Sequence, residues 1–197
     1  MHRRAVFCLM LFVSLYVPAV GAENIKNQDL IWTALRSGGH VIFIRHAVTD
    51  PGIGDPTDFK LGDCSTQRNL STQGRADAER IGAAFRHYQI PVAGVWASRW
   101  CRSLETAQLA FGNAQPAPML DSTFTEDQAA KQNKIREVLS FVGSAVMDNQ
   151  NLVFVTHQVN IQELTGVYLS SGEMLVATLD GESKFRVVGR LPVPAGH

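Results

Sequence analysis

The chain has no net charge, because 18 lysines and arginines balance 18 aspartates and glutamates among its 197 residues. A chain without a basic excess is not an ordinary nucleic-acid-binding protein. Charged residues make up only 18% of the sequence and hydrophobic residues 45%, which excludes a disordered chain. The sequence contains no internal repeat, linker or low-complexity segment, and its length fits one domain.

Long hydrophobic runs are also lacking. The longest, residues 5–17, covers 13 residues, whereas a membrane-spanning helix needs about 20. It follows two arginines and precedes small residues that end at Ala22. This order predicts a cleaved secretory signal peptide over residues 1–22, with an uncleaved anchor as the alternative. The mature domain, residues 23–197, has 175 residues and a net charge of −2, since it loses two arginines and no acid. We expect it to be periplasmic or secreted, without a membrane span.

Hydrophobic patterning predicts one α/β domain with a mostly parallel sheet. Three uninterrupted apolar runs are typical of strands that helices cover on both faces, namely residues 41–44, 92–97 and 152–155. Helical patterns fall at residues 27–36, 72–87, 98–111 and 128–147. Near the end of the chain, residues 174–179 and 184–188 flank Asp180-Gly181, which indicates a β-hairpin.

The residues directly after the three apolar runs carry the functional signal, because ligands of open α/β sheets bind at the carboxyl ends of the strands. Arg45-His46 follow the first run, a segment from Ser98 to Arg102 follows the second, and Thr156-His157-Gln158 follow the third. All three segments carry cationic or potentially cationic side chains and no carboxylate. A site for an anion is therefore predicted at this edge of the sheet.

Two arginines of the second segment strengthen this prediction. If Ser98 caps the helix, Arg99 and Arg102 lie in its first turn, where the helix dipole disfavours each cation by about 0.3–1 kcal/mol. A bound phosphate would offset that cost. Two histidines and two arginines around an anion indicate phosphoryl chemistry, with a neutral imidazole as nucleophile. Positive neighbours oppose a bound cation, so we expect neither a metal nor a cofactor.

These segments resemble the motifs of a known family. Residues 43–47, Phe-Ile-Arg-His-Ala, resemble the Arg-His-Gly signature of the histidine phosphatase superfamily, the phosphoglycerate-mutase-like proteins. Residues 69–74 are similar to the family's Leu-Thr-x-x-Gly helix start, residues 98–107 to its Ser-x-x-x-Arg-Ala-x-x-Thr-Ala element, and residues 155–158 to its Ser-His-Gly element. The resemblance implies a three-layer αβα domain with a mostly parallel central sheet.

The resemblance also implies roles for particular residues. His46 is the expected nucleophile, and Arg45, Arg102 and His157 are expected to bind the phosphate. Arg99 and Gln158 lie beside these residues and are predicted to contact the substrate. The chain departs from the family pattern at three positions, because Ala47, Gln158 and Ser103 replace two glycines and an alanine.

Cleavage of a phosphate ester needs a proton donor for most leaving groups. The family often uses a carboxylate after the arginine helix, where this chain has Glu126 and Asp127. We predict Glu126 as the acid, with Asp127 second. The alternative is that both merely begin the following helix as favourable first-turn acids. Asp55, Asp58 and Asp63, on the loop after the nucleophile, are weaker options.

Few cysteines are present, and Cys64 and Cys101 are the two that remain after cleavage. In an oxidising compartment an even pair favours a disulfide, with two free thiols as the alternative. Such a bridge would join the loop of residues 50–64 to the arginine helix.

The sequence thus predicts an exported, metal-independent phosphatase that hydrolyses phosphate monoesters through a phosphohistidine on His46. The expected substrate is a small phosphorylated molecule, with a phospho-sugar as one option and no nucleic-acid partner. Among small family members the chain resembles the exported bacterial branch that includes lipopolysaccharide core heptose phosphatases. The alternatives are a catalytically silent phosphate or phospho-sugar binder and a phosphohistidine-protein phosphatase.

Overall fold

The first helix and the first strand are linked by two glycines. The computed structural model describes residues 20–52, 54–145, 147–181 and 184–196. In the first helix, side chains are described from residue 27 onward. Helix α1 spans Val20–Arg36 and ends before Gly38 and Gly39, whose φ angles are 72° and 79°. A Cβ on Gly38 would lie 2.0 Å from the carbonyl carbon of Asn149, so this turn requires glycine. The predicted helix end is confirmed.

Helix α1 begins earlier than predicted and continues across the expected cleavage position before Glu23. Residues 1–19 of the predicted signal peptide, among them Cys8, lie outside the described residues. Within the part of the chain that is described, no helix is long and apolar enough to cross a membrane.

Among the described residues, six strands form one sheet in the order β3-β2-β4-β1-β5-β6. They are β1 (Val41–Arg45), β2 (Val92–Ala97), β3 (Gln115–Pro116), β4 (Asn151–Thr156), β5 (Met174–Asp180) and β6 (Lys184–Leu191). The first four are mutually parallel, β5 runs antiparallel to β1, and β6 pairs antiparallel with β5. The mostly parallel sheet and the terminal hairpin are confirmed.

In the described part of the chain four further helices follow the predicted order, and their ends differ from the prediction at two places. They are α2 (Thr72–His87), α3 (Cys101–Phe111), α4 (Gln128–Ser144) and α5 (Gln158–Thr165), with short 3-10 helices at Cys64–Thr66 and Pro118–Leu120. The prediction of Ser98 as the N-cap of α3 is wrong, because Trp100 occupies that position. Helix α4 ends at Ser144, and Val146 of its predicted apolar stripe lies outside the described residues.

Helices cover both faces of the sheet, which makes the three layers. Alternate side chains of the buried strand β1 point to opposite faces. Ile42 and Ile44 pack with α1, α2 and α3, whereas Val41 and Phe43 pack with α4 and α5. Strand β4 is buried along its whole length in the same way. The predicted three-layer αβα architecture is confirmed.

Strand β2 is less buried than its apolar sequence predicts. Val92 and Gly94 are only half-buried and Ala93 is exposed, whereas Val95 and Ala97 are fully enclosed. The reason is its place in the sheet, since β2 is followed only by the two-residue strand β3 at that edge. Full burial in β2 is thus reached only at Val95 and Ala97, on the face that packs with α1, α2 and α3 and near the carboxyl end where the site lies.

Candidate active site

The parallel strands bring together the residues that follow β1, β2 and β4. Arg45, the last residue of β1, pairs with Thr156 at the end of β4. The main-chain N–H of His46 donates to the carbonyl of Thr156, and that of Ser98 donates to a carbonyl of β4, both at 2.9 Å. His46, Ser98 and His157 are therefore neighbours at one edge of the sheet, where ligands of such sheets bind.

The imidazole of His46 is buried, with 5% of the residue exposed, and its tautomer is defined. Its Nδ1 lies 2.9 Å from the carbonyl oxygen of Ala47, and because a carbonyl only accepts, Nδ1 carries the hydrogen. The lone pair of the neutral ring is then on Nε2. Burial, and after it the charge of Arg102, lowers the pKa of His46 to about 3. At neutral pH the ring can therefore act as a nucleophile.

The second histidine lies beside the first, with 5.4 Å between the ring centroids of His46 and His157. The Nε2 of His157 is 2.8 Å from the hydroxyl of Ser98, and its Nδ1 is 3.5 Å from an Nη2 of Arg102. Burial, followed by the neighbouring His46 and Arg102, lowers the pKa of His157 well below its usual value. Both imidazoles are consequently neutral at pH 7.

Each of the two predicted phosphate-binding arginines uses some of its N–H groups for contacts within the protein and has one buried N–H group left unpartnered among the described residues. One Nη of Arg45 donates to the carbonyl of Leu169 at 2.8 Å. Arg102 is 4% exposed, and its Nη1 donates to both carboxylate oxygens of Asp55 at 2.9 and 3.1 Å. The Nε of each arginine is buried and has no hydrogen-bond partner among the described residues. An unpaired buried donor costs about 1–3 kcal/mol, so these N–H groups indicate an anionic ligand.

A third arginine, Arg68, belongs to the same group and was not predicted. Its Nε is also buried and unpartnered within the described ranges. Asp55 accepts from the main-chain N–H of Arg68 and from Nη1 of Arg102, which places Arg68 next to Arg102. Burial is the largest cause of the lowered pKa values of His46 and Arg102, and the charge of Arg68 lowers both further. Arg68 precedes α2 and follows no strand, so the pattern of strand ends does not predict it. We call Arg45, Arg68 and Arg102 the arginine cluster.

The loop after β1 is attached to the arginine cluster through Asp55. Its Oδ1 accepts from the main-chain N–H of Arg68 at 2.9 Å, in addition to the contacts with Arg102. The side chain of Asp55 is only 10% exposed. The other two loop acids that were considered, Asp58 and Asp63, are exposed. Of the three, Asp55 is therefore the one that contacts the cluster.

Glu126 and Asp127, the predicted proton donors, have different surroundings. Asp127 is the N-cap of α4 and accepts from the N–H of Ala130 at 2.8 Å, so the helix-starting alternative holds for Asp127. One carboxylate oxygen of Glu126 accepts from Lys134. The other is buried and has no partner in the portion of the chain that the structure describes. Lys134 also donates to the main-chain carbonyl of Asp121 at 3.3 Å, and the side chain of Asp121 contacts Ser98, the neighbour of His157, so this ion pair lies on the His157 side of the site.

The side chains of Arg99 and Gln158, the two predicted substrate contacts, are hydrogen-bonded to other groups of the protein. Arg99 lies before α3 and not in its first turn, and its guanidinium donates to Asp121. The amide nitrogen of Gln158 donates to Val167 at 3.3 Å, and its oxygen accepts from the N–H of Leu169 at 2.7 Å. Gln158 thus positions the loop that contains Leu169, whose carbonyl accepts from Nη1 of Arg45.

A disulfide joins Cys64 to Cys101, with an S–S distance of 2.05 Å and 5.7 Å between the Cα atoms. Cys101 is the first residue of α3 and directly precedes Arg102. Its main-chain N–H donates to Oε1 of Gln67 at 2.9 Å. The end of the loop that carries Asp55 is therefore linked covalently to the helix that carries Arg102.

The buried neutral state of His46 predicts how stability depends on pH. Between its usual pKa of 6.5 and its folded value of about 3, the unfolded chain binds a proton that the folded protein does not. The free energy of unfolding therefore falls as the pH falls through this range. Between pH 7 and pH 5 we expect the wild-type protein to lose about 2 kcal/mol more than His46→Asn.

Denaturant unfolding of both proteins at the two pH values measures this difference. Asparagine retains an amide N–H near the position of Nδ1, so the contact with Ala47 is preserved while the titrating ring is removed. Equal losses in the two proteins would contradict a neutral, buried His46.

The histidine phosphatase superfamily (branch 1) profile matches residues 41–137. No curated protein matches the chain in sequence. The protein histidine phosphatase SixA complexed with tungstate has a TM-score of 0.54 at 14% identity, over 77% of this chain and 96% of that chain. For phosphoglycerate mutase from Thermus thermophilus the TM-score is 0.54 at 17% identity, over 79% and 99%. The product of an open reading frame from Mycobacterium tuberculosis has a TM-score of 0.56 at 16% identity, over 76% of this chain and 95% of that chain.

Structural likeness at these identities concerns the fold, and it confirms the phosphoglycerate-mutase-like architecture. The profile match covers the segments after β1 and β2, which are two of the three strand ends at the site. The third strand end adds a second histidine next to the first. Residues 41–137, just under half of the chain, are therefore assigned to the histidine phosphatase superfamily, and the fold that carries them is phosphoglycerate-mutase-like.

Proposed function

We propose that this protein is an exported phosphatase that hydrolyses phosphate monoesters through a phosphohistidine on His46. One observation carries the proposal: a neutral, buried imidazole with its lone pair on Nε2 lies among three arginines whose Nε groups are buried and unpartnered within the described residues. Attack on a phosphate monoester requires a neutral nucleophile and cationic groups around the phosphate.

In the proposed reaction Nε2 of His46 forms a bond to phosphorus while the bond from phosphorus to the alcohol oxygen breaks. The alcohol leaves with a proton from a general acid. Water then attacks the phosphohistidine and gives a proton back to the carboxylate of the general acid while the P–N bond breaks. Inorganic phosphate and neutral His46 are released. The arginine cluster and His157 donate to the phosphoryl oxygens and stabilise the charge that spreads over them in the transition state.

Phosphatase activity is favoured over mutase activity by the connection between the nucleophile and the arginine helix. The chain has no large insertion there, and Asp55 and the disulfide at Cys64 hold this loop close to α3. A mutase must retain a phosphorylated sugar acid in a closed site through two transfers, and a loop tied to α3 by Asp55 and the disulfide is not free to close over it.

Two exposed aromatic rings next to the arginine cluster support a ring-shaped substrate. Tyr168 is 62% exposed, and its ring lies 5.8 Å from the guanidinium carbon of Arg45. Phe59 packs at 4.3 Å on Trp100, over which the guanidinium of Arg102 lies at 4.7 Å. Aromatic faces offer rigid apolar contact area, on which the C–H face of a sugar packs well. A phospho-sugar therefore belongs to the proposed substrate range.

Export is supported by two independent features. Residues 1–22 have the basic, apolar and small-residue order of a secretory signal. The disulfide between Cys64 and Cys101 belongs to an oxidising compartment, since cytosolic proteins rarely keep one. The proposed mature protein, residues 23–197, acts in the periplasm or outside the cell.

The proposal is tested by trapping the intermediate. Mature protein mixed with a 32P-labelled monoester and quenched in alkali should carry about one alkali-stable, acid-labile phosphate, and peptide mapping should locate it on His46. Release of inorganic phosphate from p-nitrophenyl phosphate should accompany it. Absence of both over a panel of monoesters would leave a phosphate-binding protein instead.

The proton donor is identified by how activity depends on the leaving group. We propose Glu126, because one of its oxygens is buried and unpartnered among the residues described. Glu126→Gln should lower kcat/KM about 100-fold or more for an alkyl phosphate, which needs protonation of the leaving oxygen. For p-nitrophenyl phosphate, whose phenolate leaves without a proton, the change should be at most about threefold.

Two further variants complete this comparison. Glu137→Gln, an exposed acid on the same helix α4, is the matched control and should leave both rates unchanged. Asp55→Asn tests the rival acid that contacts Arg102. Selective loss on the alkyl phosphate in Asp55→Asn, and not in Glu126→Gln, would transfer the role to Asp55.

A further inference from the structure

Asp121 is a buried carboxylate next to the site, and no motif pointed to it. It follows the 3-10 helix Pro118–Leu120 and is 5% exposed. Its Oδ2 accepts from Nε and Nη2 of Arg99 at 2.8 and 2.5 Å, and its Oδ1 accepts from the main-chain N–H of Arg99 at 2.8 Å. The carbonyl of Asp121 accepts from the amide of Asn160 at 2.8 Å. These contacts hold the carboxylate in one orientation.

A hydrogen-bond chain runs from Arg102 through His157 to this carboxylate, and its direction follows from the donors. Guanidinium nitrogens only donate, so the 3.5 Å contact from Arg102 makes Nδ1 of His157 an acceptor. The neutral ring then carries its hydrogen on Nε2 and donates to Ser98 at 2.8 Å. The hydroxyl of Ser98, which is fully buried, donates its single hydrogen to Oδ1 of Asp121 at 3.3 Å.

We propose that Asp121 is a positioning residue that acts on His157 through Ser98. It holds the imidazole with its hydrogen on Nε2, and it stabilises the imidazolium that His157 becomes when a phosphate is bound. The inference rests on the proposed phosphate site, and it assigns to Arg99 the task of orienting Asp121. Asp121 itself touches neither the substrate nor His46.

The chemistry of the bound state explains why a carboxylate is needed. A phosphate oxygen requires a donor, so Nδ1 of His157 must gain a proton, which comes from solvent or from the monoanion of the ligand. The ring then has two N–H groups and a positive charge. Nε2–H already has an acceptor in Ser98, whose own hydrogen is accepted by Asp121, so the negative charge acts on the imidazolium through one hydroxyl.

The charged groups around His157 shift its pKa in opposite directions. Burial and nearby cations lower its pKa in the absence of ligand. The charged and titratable groups that bear on it are His46 and Arg45 at the end of β1, Arg102 on α3, Lys134 on α4, and Asp121 through Ser98. Asp121 is the anionic member of this set, and a bound phosphate dianion would be the second. Removal of Asp121 therefore lowers the pKa of His157 in the phosphate complex.

The test measures binding of inorganic phosphate by calorimetry between pH 5 and pH 9 for the mature protein, Asp121→Asn, Ser98→Ala and the double variant. Loss of the relay should weaken binding about tenfold at pH 7 in each single variant and move the alkaline limb of the affinity profile to lower pH by about one unit. Because both act through one chain, the double variant should bind no more weakly than Ser98→Ala. Additive losses, or an unshifted limb in Asp121→Asn, would overturn the proposal.

A matched control separates positioning from stability. Asp77 on α2 is equally buried and paired with Arg80, so Asp77→Asn should lower the melting temperature without moving the pH profile. If Asp121→Asn does not fold, 15N-histidine NMR of the wild-type protein decides. It should show His157 protonated on Nε2 without ligand and on both nitrogens with phosphate; a hydrogen on Nδ1 alone would contradict the chain. These readouts need no turnover, so they stay decisive if phospho-His46 is never trapped.

Discussion

His46→Asn should abolish turnover, with a loss of about 10⁴-fold or more in kcat on p-nitrophenyl phosphate. The proposed reaction splits hydrolysis into formation and breakdown of a phosphohistidine, and asparagine cannot form that bond. The amide of asparagine can still donate to the carbonyl of Ala47, so the backbone beyond β1 should keep its course. Rate measurements on the purified variant, together with loss of the acid-labile phosphate, check this expectation.

Binding and control experiments show whether the loss is chemical. His46→Asn should still bind inorganic phosphate within about tenfold of the wild-type affinity, because the arginine cluster and His157 are retained. His87→Asn, at the exposed end of α2, is the matched control and should keep full activity. Residual turnover within a hundredfold of wild type would mean that His46 is not the nucleophile.

Arg102→Lys is expected to have the second-largest effect, a fall of about 10²–10³-fold in kcat/KM. Lysine keeps the positive charge, so Asp55 retains a counter-ion and the protein should fold. The ammonium nevertheless lacks the planar fork whose Nη1 holds Asp55 while the buried, unpartnered Nε faces no protein acceptor among the described residues. The single ammonium group of lysine cannot hold Asp55 and bind the phosphate at the same time.

Steady-state kinetics and thermal melting of this variant should be compared with Arg75→Lys. Arg75 is 45% exposed and pairs with Glu105 on α3, so its replacement should change kcat/KM by less than about twofold. A melting temperature near that of the wild type, with the expected kinetic loss, assigns the defect to the fork. Activity of Arg102→Lys close to that of the control would exclude Arg102 from the phosphate site.

Much of the fold could be predicted from local patterns. Uninterrupted apolar runs predict β1, β2 and β4, because strands covered on both faces have no polar side, although β2 is fully buried only at Val95 and Ala97. Once these strands are taken as parallel, their carboxyl ends share one edge of the sheet, so Arg45, His46 and His157 had to lie near one another. The predicted start of α3 is wrong, because Ser98 has the residue type of a cap but its hydroxyl contacts His157 and Asp121.

The sequence by itself therefore determined the three strand ends, the two histidines at them and the cysteine pair, since these follow from periodicity and order along the chain. Only the tertiary structure decided which neighbours act on them. Arg68, Asp55 and Asp121 lie on loops or short turns without periodicity, and their contacts cross the molecule. The balanced charge of the whole chain gives no sign of them. Buried ion pairs and unpartnered donors arise from packing that brings distant segments together, and local composition does not record it.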